Sequence, residues 1–143
     1  MVGMMQMMCA TRENIAEYIE KEFGDRAEFM FRDSPDTGVF RHGGNKKWYA
    51  VLMKVGYAKL GLGKEGAADI INLKCDPTLA FQLVDGIRIF PAYHMNKVHW
   101  ISVLLDGSEE YAEACSLVSL SHRLTSTASV RQKKKADTPE RVR

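Results

Sequence analysis

The side chains best suited to chemistry stand together in PAYHMNKVHWISVLLDG, Pro91 to Gly107, where Tyr93, His94, Asn96, Lys97, His99 and Trp100 fall within eight residues. Hydroxyl, imidazole, amide and ammonium groups in one segment supply donors and a cation, which suits phosphate or the edge of a nucleobase. The same residues have a structural use. Tyr93, His94 and Asn96 can bond neighbouring backbone and fix a loop, which leaves Lys97 as the side chain expected to be exposed. His94 and His99 are five positions apart. On a continuous strand they would face opposite sides, which disfavours a two-histidine metal site.

A second group is basic. Arg41, Lys46, Lys47, Lys54, Lys59 and Lys64 occur with no acidic residue among them, and Trp48, Tyr49 and Tyr57 are interleaved. Cations on a hairpin can follow phosphates while an aromatic stacks on an exposed base. Lysines on sheet edges also guard against strand pairing, and that use fits the stretch equally well. Gly61 to Gly66 has the spacing G-x-G-x-x-G, but strand-forming Ile70 to Leu73 follows it rather than a helix. A pyrophosphate would find no helix N-terminus there, so the segment reads as a hairpin loop and no cofactor is expected.

These groups need elements to hold them. Thr11 is a suitable N-cap, Ile15, Tyr18, Ile19 and Phe23 recur at helical spacing, and Gly24 ends the pattern. Ala27, Phe29 and Phe31 alternate as in a half-buried strand, a turn follows at Ser34 to Gly38, and strands are expected at Val39 to His42 and Trp48 to Val55. Asp76-Pro77 opens a short helix that Gly86 closes. Trp100 to Leu105 is a buried strand, after which Asp106 or Ser108 caps a last helix that ends near Leu124. Together these predict an α+β fold, a single-domain two-layer sandwich with an antiparallel sheet and the terminal helices packed on one face.

Three blocks, KKWYAVLMK at Lys46 to Lys54, KCDPTLAFQLVDG at Lys74 to Gly86, and YHMNKVHW before a hydrophobic strand ending in Asp106-Gly107, closely resemble the MmcQ/YjbR family of small bacterial proteins. The resemblance spans Thr11 to Leu124. It implies a fold like that of CyaY, the bacterial frataxin, and a DNA-binding role, which is how family members are commonly labelled. It also suggests an alternative, since frataxins hold iron on an acidic ridge and Glu13, Glu17 and Glu20 form an acidic face on the first helix. A solvated helix face explains the same three residues.

Charge and composition bound the remaining possibilities. The chain has 143 residues and a formal charge of +2, unevenly placed. Residues 1–125 carry 14 Lys and Arg against 16 Asp and Glu, and residues 126–143 carry 6 against 2. Attraction to phosphate must therefore come from a local patch or from the tail. Expected boundaries are a ragged segment over 1–10, one domain over 11–124, and a disordered basic tail over 125–143. Cys9, Cys75 and Cys115 show no metal or disulfide spacing and read as free thiols. With no serine elbow, paired catalytic carboxylates or matched Cys-His set, an enzyme is not expected. The function expected is DNA binding through Arg41, Lys46, Lys47, Trp48, Lys54, Lys59, His94, Asn96, Lys97 and His99. A protein-interaction adaptor or a metal-binding module is the alternative. The partner is DNA or a protein, without a membrane, for a cytoplasmic monomer.

Overall fold

The computed structural model describes residues 8–126. The elements run β1 (Cys9–Thr11), α1 (Arg12–Phe23), β2 (Gly38–Arg41), β3 (Trp48–Gly56), a 3-10 turn (Tyr57–Leu60), β4 (Ala67–Lys74), α2 (Pro77–Leu83), β5 (Ile89–Pro91), β6 (Trp100–Leu104), β7 (Asp106–Glu110) and α3 (Tyr111–Leu124). Five strands form an antiparallel sheet in the order β2-β3-β4-β6-β5, and β1 pairs with β7 in a separate ribbon. The fold is α+β. Residues 1–7 and 127–143, with the expectations attached to them, lie outside the described residues.

Period-two and helical patterns meet in the main core. Ile71 and Leu73 of β4 and Ile101 and Val103 of β6 alternate onto one sheet face, where they pack with Ile15 and Ile19 of α1 and Val118 of α3. Burying an aliphatic side chain contributes roughly 1.5–3 kcal/mol, so this layer fixes α1 and α3 on the sheet. α1 is capped reciprocally. Thr11 Oγ1 accepts from the Asn14 amide at 3.2 Å, and Asn14 Oδ1 accepts from the Thr11 amide at 2.9 Å. Gly24 closes the helix at φ +78°, a backbone shape that strains residues with a Cβ.

Several expected elements differ. Cys9 and Ala10 are not ragged, because they pair with β7, with Cys9 opposite Glu110. Ala27 to Phe31 is not a strand. It meets the sheet only at a bridge between Glu28 and Val39. The Phe29 ring then crosses Gly38, lying 3.0 Å from where a Cβ would stand, and the chain turns away. Asp106 does not cap a helix. Asp106–Glu110 forms β7, and α3 begins only at Tyr111. α2 stops at Leu83, ahead of Gly86, because Asp85 Oδ1 gathers the amides of Ile87, Arg88 and Ile89 into a tight turn.

One irregularity sorts the aromatic residues. The β2–β3 register runs from Phe40 opposite Ala50 to Arg41 opposite Trp48, so Tyr49 is a surplus residue in a β-bulge. Tyr49 is buried in the helical layer against Phe23 and Phe40. Trp48 stays on the opposite face, where it meets Phe31.

Candidate functional site

The sheet face turned away from α1 and α3 is covered unevenly. At one end Tyr57, Leu60 and Leu62 pack on Val55, Ala68 and Ile70. In the middle, the loop from Ala92 to His99 is pinned across the strands by a buried polar pair. Ser102 donates to Asn72 Oδ1, Asn72 Nδ2 donates to the Tyr93 carbonyl at 3.0 Å, and the Tyr93 amide donates to Ser102 Oγ at 2.8 Å. Neither Asn72 nor Ser102 is exposed to solvent. Such groups are tolerated inside a sheet because each finds a partner.

The far end is open. There a hollow of about 330 Å³ is lined by Phe31, Trp48, Val51, Met53, His94 and Met95, together with Asp33, Ser34 and Thr37. Phe31 and Trp48 meet at 6.1 Å with planes 76° apart, forming a corner rather than a stack. His94 has φ +61°, uncommon outside glycine, and its ring packs on Tyr93 at 4.0 Å. Thus Trp48 and His94, both candidates from the sequence, share one cavity.

The other candidates divide. Asn96 Oδ1 accepts from the amides of Val98 and His99, so Asn96 shapes the loop. Lys97 is exposed, as expected, and its ammonium donates to the Ala92 carbonyl at 2.7 Å. It borders a different hollow, with Phe81, Val84, Pro91 and Val98. His99 is exposed, and its carbonyl accepts from Cys75 N at 2.7 Å. Arg41 pairs with Glu28 at 3.0 Å, and Lys54 lies 3.6 Å from Asp69, which also holds Arg12. Lys46 and Lys47 are exposed with no ion pair among the described residues. Lys59 is also exposed, but β3 separates it from them by nine residues, about 30 Å of extended chain.

On the alternative acidic face, Glu17 lies 3.7 Å from Lys21 and Glu20 bonds Arg26 at 3.0 Å. No group of three His, Cys, Asp or Glu placed to hold a metal occurs among the described residues. No helix among them is long and apolar enough to cross a membrane.

One link was invisible in the sequence. His42 Nε2 lies 2.8 Å from Thr125 Oγ1, and Asn45 Nδ2 donates to the Thr125 carbonyl at 3.0 Å. The end of α3 is thereby fastened to the turn that carries Lys46 and Lys47. Eighty residues separate the partners, and no local pattern announces such a contact.

Residues 23–124 match the YjbR protein family. The chain belongs to that family. A curated YjbR relative, the uncharacterized protein YyaQ of Bacillus subtilis, is 39% identical over 115 residues, which is 80% of this chain and 98% of YyaQ. A crystal structure of a Pseudomonas syringae protein is similar at TM-score 0.78 and 40% identity, covering 81% of this chain and 99% of that one. A Deinococcus radiodurans protein, at 23% identity and TM-score 0.64, shares the fold over 89% of this chain and 90% of its own.

Proposed function

We propose that this YjbR protein is a non-enzymatic nucleic-acid-binding module whose contact surface is the Lys46–Lys47 end of the sheet, with DNA as its partner. The observation that carries this reading is the bond from Asn45 Nδ2 to the Thr125 carbonyl. It sets Thr125 beside the turn that carries Lys46 and Lys47, which make no ion pair among the described residues, and the basic stretch 126–143 follows Thr125 in the sequence. A slightly acidic body can then still present a local cationic end to phosphate. Arg41 and Lys54 contribute less than the sequence suggested, because Glu28 and Asp69 already neutralise them.

Fluorescence anisotropy of a labelled duplex tests the reading. Affinity of the full chain should fall steeply with salt, because bound lysines release counterions. Joint replacement of Lys46 and Lys47 by Glu should weaken binding by at least about tenfold, and Glu at Lys133, Lys134 and Lys135 should weaken it further. Binding that ignores salt and both sets of replacements would overturn the assignment.

A further inference from the structure

The hollow beside Trp48 is not explained by phosphate contact, since its lining is mostly apolar and one of its polar groups is the Asp33 carboxylate. Placing a carboxylate there repels phosphate. Asp33 is exposed and has neither a hydrogen bond nor an ion pair among the described residues, so its oxygens remain available as acceptors. Ser34 and Thr37 bond each other through their hydroxyls at 2.7 Å. An occupant must therefore be flat and apolar enough for an aromatic corner, and must carry hydrogen-bond donors on one edge.

We infer that this hollow receives a single unpaired nucleobase, stacked on the Phe31–Trp48 corner with its donor edge toward Asp33, and that it selects guanine over thymine. Guanine presents adjacent N1–H and N2–H donors, which a carboxylate accepts together. Thymine flanks its one N–H with two carbonyl oxygens that a carboxylate repels. His94, at the same hollow, bears a ring nitrogen that can donate to guanine O6. Base stacking on an aromatic side chain contributes roughly 1–3 kcal/mol and needs a base that is out of the duplex. The inference rests on the nucleic-acid reading and deepens it: the lysines would attract the strand, and the hollow would read one base.

The test uses the full chain carrying Trp100→Phe, which leaves Trp48 as the lone tryptophan reporter. Its fluorescence is followed with GMP, TMP, and the single strands d(TTGTT) and d(TTTTT). Quenching by GMP but not TMP, with d(TTGTT) bound roughly tenfold more tightly than d(TTTTT), is the expected result. Asp33→Asn should erase that preference, whereas Glu at Lys46 and Lys47 should weaken both strands equally and keep it. If GMP binds as tightly as d(TTGTT), the base pocket stands and its source is a free nucleotide. Equal quenching by the two strands, or a preference that survives Asp33→Asn, would overturn the pocket while leaving salt-dependent duplex binding intact. If Lys46 and Lys47 prove dispensable for duplex but the guanine preference persists, the nucleic-acid surface fails and the base pocket survives.

Discussion

His122 lies flat on Phe23, with ring centroids 3.9 Å apart and planes only 10° from parallel. Its neighbour on another side is His42, 4.3 Å away, so α3 is joined to the β2–β3 hairpin by two imidazoles in contact. Burial is the main force holding both pKa values below the ordinary 6.5. Mutual repulsion adds to it at His122, Lys47 lowers His42 further, Asp25 opposes at both, and the bond to the His122 backbone opposes at His42.

A histidine with a depressed folded pKa binds fewer protons folded than unfolded. Its stability contribution is therefore intact above about 6.5 and lost as pH falls through the folded values. Urea midpoints should drop between about pH 7.5 and pH 5.5. His122→Phe keeps a ring on Phe23 and removes one titrating group, so it should shrink that drop. An unchanged drop in the variant would mean that other groups carry it.

Glu109 should act in the opposite sense. It is only 3% exposed, its Oε2 has no hydrogen-bond partner among the described residues, and Arg88 Nε stands 3.9 Å from Oε1. Burial first, then repulsion from Glu113, raises its pKa above 4.5. Its contribution is present below that value and lost as pH rises through the folded pKa. Glu109→Gln should consequently stabilise the protein at neutral pH by about 0.5–1.5 kcal/mol and give no gain near pH 4. Paired denaturation curves at the two pH values decide the matter.

Asn72 is expected to be costly to truncate. Asn72→Ala would leave the Tyr93 carbonyl and a Ser102 hydroxyl without their partner in a dry site, a loss of about 1–3 kcal/mol. Amide exchange at Tyr93 should quicken beyond that at Ile71, if the pair holds the loop rather than merely filling space. Equal acceleration at both positions would point to global destabilisation alone.

Thr11→Ala removes half of the reciprocal cap on α1 and should cost about 0.5–2 kcal/mol, seen as a lowered Tm. Thr11→Ser should recover most of it, because the hydroxyl rather than the methyl does the capping.

α1 was legible in the sequence because its determinants are local: a capping threonine, an apolar stripe and a glycine in the left-handed region. β6 was legible as a short apolar run, all of it buried. Asp106–Glu110 was misread because acidic residues after Asp-Gly suit a helix start just as well, and the strand that pairs with them lies about a hundred residues earlier. Ala27 to Phe31 has strand alternation, yet the crossing of Phe29 over Gly38 decides its path, and that is a tertiary contact.

The site was legible as a set of residue types and not as a place. Trp48 and His94 were both visible, but only the loop pinned by Asn72 and Ser102 brings His94 to the hollow at Trp48. Lys54 looked like a free cation until the β3–β4 register set it opposite Asp69. Asp33 has no signature in the sequence, since a lone carboxylate in a turn carries no signal until its surroundings are known.

The surplus residue at Tyr49 makes the β2–β3 hairpin sensitive to length in one place and tolerant in another. Gly43 and Gly44 have open space around them, so an added residue at that tip would lengthen the turn and leave both layers intact. Deleting Tyr49 would remove the bulge and restore an even pleat, with Trp48 still facing outward and Ala50 and Leu52 still in the helical layer, but the ring that packs on Phe23 and Phe40 would be lost. The hairpin is thus a ruler with one fixed mark, and inserted tags or epitopes belong at its tip rather than along its edge.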